Sequence, residues 1–459
     1  MMKTMGREPR PGWRDVAWPM AAAVAARLVL LLFVVRATGL ASILAGDSMS
    51  YLRPGAELLR HGCFCSDGLP EMDRTPGYPL FAMGTGSLWG AVLLTVLAQI
   101  GLAALSVWLV RRISFELLRD ARGSIAAAWL MALEPLSLEY SLRVLSETLF
   151  VVLLLVFLWL MMRSIVKPAM QKMALAAAVL AAMAYVRPVA YWLAVPVVLF
   201  LLTMRMLQSA EVAQAQRPRG HQWKAVTVFA LVFLALVAPW QIRNLRVANY
   251  AGFSSIADKN LYFYEAGAVL ARESHESLEA WQLQVGKDDR MRWSKLHLEQ
   301  LSWTVARHVE WLRRDGLQVL RQHPWVFFET YVAGEIRLLF APGASELFRL
   351  IGLHPPGRAG LIERQWMLPQ WMVAMCMEAF LLLLYGFAAR MWFALRMRKE
   401  RVVRPTVLWM LAVIAVYFLA VSGGGQAVSR LRLPVMPILC IFAGEGIAQT
   451  VKSGDPGRI

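Results

Sequence analysis

VVLLLVFLWLMM, residues 151–162, carries no charged or hydroxyl-bearing side chain over twelve positions. A run of this kind reads as the middle of a membrane helix or as a buried core segment, and its surroundings decide between them. AVTVFALVFLALVAP, residues 225–239, is likewise uncharged and apolar apart from Thr227. The 459-residue chain is 58% hydrophobic and 17% charged, with mean hydropathy +0.49. Soluble domains average about 25% charged residues, so there is too little polar surface here for a protein in water. The composition defines an integral membrane protein that crosses the bilayer many times.

Apolar runs predict about ten spans, near 17–38, 86–110, 123–141, 144–162, 173–187, 189–206, 224–240, 367–389, 405–421 and 433–450. The formal charge is +17 and the pI about 10.2. In a soluble chain that excess would suggest nucleic acid, but no nucleic-acid module is present and cytoplasmic loops of membrane proteins carry the same bias. Four short basic loops set the orientation: Arg111, Arg112, Arg119 and Arg122; Arg163, Lys167 and Lys172; Arg205, Arg217, Arg219 and Lys224; and the stretch from Arg390 to Arg404. With these inside, both termini are inside. Lys3, Arg7, Arg10 and Arg14 then precede an uncleaved first helix.

Three regions follow: an N-terminal transmembrane catalytic module, 1–247, that includes an outer loop at 39–85; an extracytoplasmic helical region, 248–366; and C-terminal transmembrane helices, 367–459. HPWVFFETYVAGEIRLLFAP, 323–342, is apolar enough to span, but it contains Glu329, Glu335 and Arg337 and would reverse the orientation of the most basic loop. It reads as an interfacial amphipathic helix. Residues 277–285 and 288–320 alternate apolar and charged positions at helical spacing, as expected of a small external helical unit. No repeat, phosphate-binding glycine loop or Cys/His metal spacing is present. Asp67, Glu71 and Asp73 could offer oxygen ligands, but a solvated acidic loop is the commoner meaning, and no metal or cofactor is expected. Cys376 and Cys440 lie in apolar runs. Cys63 and Cys65 face the outer side, two residues apart, a separation too tight for an easy relaxed disulfide.

Seven arginines stand at the wrong end of the spans for the positive-inside rule: Arg74, Arg143, Arg187, Arg243, Arg246, Arg430 and Arg432. A single one could reach out to the interface. Seven from separate segments suggest a bundle that gathers them around an anion, and the planar guanidinium fork suits phosphate oxygens. Carboxylates lie near the same ends: Asp47, Glu134, Glu139 and Glu147. For Glu139, Arg143 and Glu147 the plain alternative is a ladder of i,i+4 ion pairs. Glu134 precedes Pro135, which should interrupt its helix. Asp47 opens GDSMSYLRPGAELLRHG, 46–62, where it could cap the helix that follows. Against this, Pro54 would fall inside that helix, and the third position has no Glu or Gln to complete a capping box. From the residues alone, Asp47 remains open between cap and general base.

At this point the pieces resemble a family. Asp47, Tyr51, Ala56, Leu59 and Gly62, then DRTPGYPLF (73–81), are similar to the first outer loop of the GT-C glycosyltransferases. The branch most resembled is family 39, which includes protein O-mannosyltransferases and the lipid A aminoarabinose transferase. LEPLSLEYSLRVLSETLF (133–150), YVRP (185–188), APWQIRNLRVANYAGF (238–253), KNLYFYE (259–265), QHPWVFF (322–328) and SRLRLPVMPILCIFAG (429–444) follow in the same order.

The resemblance implies an inverting membrane glycosyltransferase. It would take a sugar from a polyprenyl-phosphate donor and pass it to an acceptor on the extracytoplasmic face; the arginine-rich character of the chain suits a bacterial inner membrane. It casts Asp47 as the base, and Arg74, Arg187, Arg243, Arg430 and Arg432 as donor phosphate ligands. Tyr51, Tyr78, Arg143, Glu147, Asn260 and Tyr262 would line the substrate pocket. Protein O-mannosyltransferases show two adjacent acids in this loop, whereas Ser48 follows Asp47 here, and there is no separate carbohydrate-binding module. The sugar and the acceptor are not named by the sequence. A polyprenyl-linked glycan polymerase or ligase, or a non-enzymatic lipid-linked-sugar transporter, are the rival readings.

Overall fold

A computed structural model describes residues 13–86, 90–166, 169–211, 220–353, 367–397 and 405–453. Lys3, Arg7, Arg10, Lys167, Arg217, Arg219 and the basic stretch 398–404 lie outside the described residues. The protein is an integral membrane bundle of α-helices. Among the described residues, the exception is a two-strand hairpin that pairs Cys65–Ser66 with Leu69–Pro70.

Helices stand where the ten apolar runs place them. Five are long and apolar enough to cross a membrane: Arg14–Thr38, Val92–Leu118, Glu147–Val166, Trp223–Ala248 and Leu368–Ala394. Ala121–Leu133, Met170–Val186, Val189–Met204, Pro405–Ala420 and Met436–Thr450 are apolar but shorter. Small residues allow the tightest packing, as is usual where lipid removes the hydrophobic drive between helices. A Cβ at Gly444 would strike the backbone of Gly123 and Ala127, and one at Gly446 would strike the backbone of Phe387.

Glu134–Pro135 breaks the chain as expected. Ala121–Leu133 ends there and a short helix, Pro135–Tyr140, begins; the Glu134 carboxylate caps it by accepting from Leu136 N (3.1 Å) and Ser137 N (2.5 Å). Such a break strands backbone carbonyls that the bilayer cannot satisfy. Arg27, fully buried in the first helix, supplies donors: Nη1 to Ala132 O (3.1 Å), Nη2 to Ser137 Oγ (2.9 Å) and Nε to Ser141 Oγ (3.0 Å).

Residues 256–322 close around a small aromatic core of their own, with Tyr262, Phe263, Ala271, Trp281 and Leu312 buried. The segment at 323–342 is helical over Pro324–Phe340. Gly334 and Leu338 face inward, while Trp325, Phe328, Ile336 and Phe340 are exposed along the other side. Cys63 and Cys65 face each other with Cα atoms 5.3 Å apart.

Candidate active site

Asp47 sits at the N-cap position of the helix Ser48–His61, but its side chain makes no capping hydrogen bond. The helix runs through Pro54. The carboxylate turns elsewhere. Oδ2 accepts from Arg430 Nη2 at 2.6 Å, and Oδ1 lies 3.4 Å from Arg74 Nη2. Asp47 and Arg430 are 383 residues apart in sequence. Side-chain exposures of 36% for Asp47, 31% for Arg430 and 18% for Arg74 leave the three open to a ligand.

The surroundings hold Arg74 in place. Its Nε donates to Ser50 Oγ (3.0 Å) and its Nη1 to Tyr51 OH (3.1 Å), and its guanidinium lies 4.4 Å from the Tyr51 ring centroid. Tyr51 OH also bonds Ser146 Oγ at 3.1 Å. Tyr78 is fully buried behind it, edge-on to the Tyr51 ring at 5.1 Å, with its hydroxyl donating to Gln99 Oε1 (2.8 Å). Gln99 in turn donates to the carbonyls of Ser141 (3.1 Å) and Arg143 (2.7 Å). Tyr78 therefore supports the site from below and does not line it.

Arg187 arrives from the end of Met170–Val186. The following proline forbids helix there, and the residue is extended (φ −141°, ψ 117°). Its Nη1 pairs with Glu147 Oε1 at 2.9 Å, and Glu147 Oε2 is buried without a hydrogen-bond partner. Burial pushes the Asp47 carboxyl up, but Arg430, Arg74 and the more distant Arg187 outweigh it and hold it below the usual carboxylate range. Burial works against the Arg430 charge, yet Asp47 first and Glu147 next raise its pKa above the ordinary value.

Four of the sequence-predicted residues have other surroundings. Arg243 donates to the carbonyls of Glu71 (2.8 Å) and Phe64 (2.7 Å), clamping the first outer loop onto the helix Gly220–Ala248. Arg432, 2% exposed, donates to Leu338 O (2.6 Å), Leu339 O (2.8 Å) and Ala341 O (3.1 Å). These are carbonyls that the end of Pro324–Phe340 leaves without helical partners. Arg143 is buried against Glu139 (3.2 Å) and the Glu346 carbonyl (2.6 Å), so one rung of the expected ladder forms, while Glu147 pairs with Arg187 instead. Tyr262 belongs to the external aromatic core, with ring centroids 5.3 Å from Trp311 and 5.9 Å from Trp281. Asn260 is at the edge of the site, its Nδ2 donating to Gln426 Oε1 (2.8 Å).

Sequence reasoning passed over Ser50, Ser146, Lys259 and Glu265. A serine beside a catalytic candidate carries no signal by itself. Lys259 and Glu265 lie within a quoted motif, yet only the fold shows what they touch. Lys259 Nζ pairs with Asp73 at 2.5 Å, and Ser255 Oγ donates to the same carboxylate at 2.6 Å. Glu71 accepts from Ser66 Oγ (2.6 Å) and from the backbone N–H groups of Asp73 (2.7 Å) and Arg74 (3.0 Å). These acids, set aside above as possible metal ligands, are thus engaged in shaping the Arg74 loop.

The chain has the GT-C fold, as its likeness to solved membrane transferase structures shows. Two of the solved structures it is similar to carry the comparison. The archaeal oligosaccharyltransferase AglB from Archaeoglobus fulgidus, in complex with an inhibitory peptide and a dolichol-phosphate, superposes with TM-score 0.50 at 11% identity over 98% of this chain. ArnT from Cupriavidus metallidurans, bound to undecaprenyl phosphate, superposes with TM-score 0.51 at 12% identity over 95% of it. The chain spans 53% and 60% of the lengths of these two proteins. No protein-family model matches the chain, and no curated protein matches it by sequence.

Proposed function

We propose that this protein is an inverting glycosyltransferase that uses a polyprenyl-phosphate-linked sugar, with Asp47 as general base and Arg74, Arg187 and Arg430 as the phosphate site. One observation carries the reading: the Asp47 carboxylate leaves its own helix uncapped and is held, still accessible, between Arg74 of its own loop and Arg430 from the far end of the chain. The solved neighbours bound to lipid phosphates are in keeping with such a donor.

Charge balance supports a donor with one phosphate. Three guanidiniums, on Arg74, Arg187 and Arg430, face two carboxylates, on Asp47 and Glu147, leaving one positive charge for one bound anion. A glycosyl phosphodiester carries one negative charge. The leaving phosphate gains a second as the bond breaks, which is where fixed positive groups act most strongly. Arg243 and Arg432 are left out of the site because backbone carbonyls occupy their guanidiniums.

In the reaction, Asp47 removes the proton from an acceptor hydroxyl. The acceptor oxygen attacks the anomeric carbon as the carbon–oxygen bond to phosphate breaks, with inversion. Phosphate oxygens entering the site compete for Arg430 and Arg74. As these turn toward the donor, Asp47 loses the ion pairs that hold its basicity down and becomes a better base when the substrate is in place.

Arg111 pairs with Asp15 at the start of the first helix, whose other end leads to Asp47, and a basic loop opposite the site supports an extracytoplasmic site, as in a bacterial inner membrane. The test is transfer from a radiolabelled polyprenyl-phosphate-sugar pool in membranes, wild type against Asp47→Asn. Product with wild type alone supports the assignment; equal product from both returns Asp47 to a structural role.

A further inference from the structure

Both arginines that flank Asp47 are approached from behind by one short segment of the external unit. In KNLYFYE, 259–265, Lys259 pairs with Asp73, next to Arg74. Asn260 donates to Gln426, four residues before Arg430. Residues Leu261–Ala266 then form a π-helix, a wide turn that is uncommon and often found at functional sites.

From that turn Glu265 reaches a run of three glycines, Gly423–Gly425, and its Oε2 accepts from Gly425 N at 3.1 Å. Its Oε1 is buried without a hydrogen-bond partner. The fit demands glycine. Gly424 has φ +75°, a Cβ there would collide with the Glu265 carboxylate, and one at Gly425 would strike the Tyr264 carbonyl. On the far side, a Cβ at Gly334 of the interfacial helix would strike the backbone of Gly424. Beyond the glycines the chain enters the short turn Ser429–Arg432 that presents Arg430 to Asp47. Arg432 anchors the far end of that turn to the end of Pro324–Phe340, so Glu265 is its anchor at the near end.

We propose that Glu265 is a positioning residue that fixes Arg430 against Asp47 through the Gly423–Gly425 turn, so that the external helical unit sets the geometry of the catalytic pair. This rests on the reading of Asp47 and Arg430 given above. Burial pushes the Glu265 carboxyl up to about 7. A neutral side chain of the same shape therefore already occupies the place in part of the population at neutral pH, and Gln is a fair stand-in.

The experiment compares purified full-length wild type, Glu265→Gln, Glu265→Ala and Gly424→Ala by amide hydrogen exchange across residues 421–433 and by transfer kinetics. Glu265→Ala and Gly424→Ala are expected to raise exchange in that segment. They should lower kcat/KM about tenfold to a hundredfold, the cost of misplacing by about an ångström a group that serves both Asp47 and the donor phosphate. Glu265→Gln should restore both readouts to near wild type.

Unchanged exchange in Glu265→Ala and Gly424→Ala overturns the proposal whatever the activity. Equal loss in Gln and Ala overturns it as well. If wild type transfers nothing while exchange still follows the expected order, Glu265 holds the turn and it is the transferase reading that fails.

Discussion

Asp47 shows at the scale of one residue how position and chemistry part company. It occupies a capping position and does not cap, so removing its charge should leave the helix Ser48–His61 intact. Asp47→Asn is expected to lower transfer by about 10²- to 10⁴-fold, the usual range for a general base, with donor binding kept or tightened; donor affinity and turnover measured side by side check this. The ion pairs add a pH signature. With the free carboxyl held below its usual range, the acid limb of kcat/KM, which reports the free enzyme, should lie below about 3.9, the ordinary aspartate value. The acid limb of kcat, which reports the substrate complex, should lie higher because the donor draws the arginines away. Coincident limbs would mean that Arg74 and Arg430 stay on Asp47 throughout. Arg430→Ala and Arg74→Ala should each weaken donor binding about tenfold to a hundredfold, the worth of a charge-assisted hydrogen bond. Arg432→Ala should instead lower the melting temperature and leave donor affinity alone. The loss is expected to be about 1–3 kcal/mol for each buried carbonyl it strands; weaker donor binding at unchanged thermal stability would reverse the two roles.

Elements were legible in the sequence where periodicity and breakers speak for themselves. Apolar runs located the membrane helices, Pro135 located the break after Leu133, and Pro188 located the end of the helix that carries Arg187. The partners of those breaks were hidden. Arg27 reads as a stray basic residue in AARLVL, yet it satisfies the carbonyl of Ala132 and two serines at once. Arg27→Leu is expected to destabilise the protein by several kcal/mol, as when one partner of a buried polar network is removed, with no change in donor affinity of the fraction that folds. Thermal unfolding in detergent measures it; a neutral outcome would show that water reaches the break. The arginines divided for the same reason. Composition at the helix ends announced all of them, but which ones face a ligand and which cap carbonyls depends on contacts such as Arg432 with Leu338 that no local pattern encodes.

At the scale of the molecule, the sequence located both halves of the candidate site but not their junction, because Asp47 and Arg430 come from opposite ends of the chain. The sidedness proposed for the bundle can be read directly: a cysteine at position 274 in the external unit should react with an impermeant maleimide in intact cells, and one at 112 only after permeabilisation. The reverse pattern would put the site on the cytoplasmic side. The 383-residue separation also has a bearing on biogenesis. Helices enter the bilayer as they are synthesised, so Asp47 leaves the first helix long before its arginine partner exists. Until then its carboxylate has Arg74 and the more distant Arg187, and the nascent protein holds an acid without the group that aims it. Competence therefore arrives in a single late step, when the last helix pair docks and the Arg430 turn swings onto the first loop. A chain stalled before that point would sit in the membrane, helical but without its candidate catalytic pair.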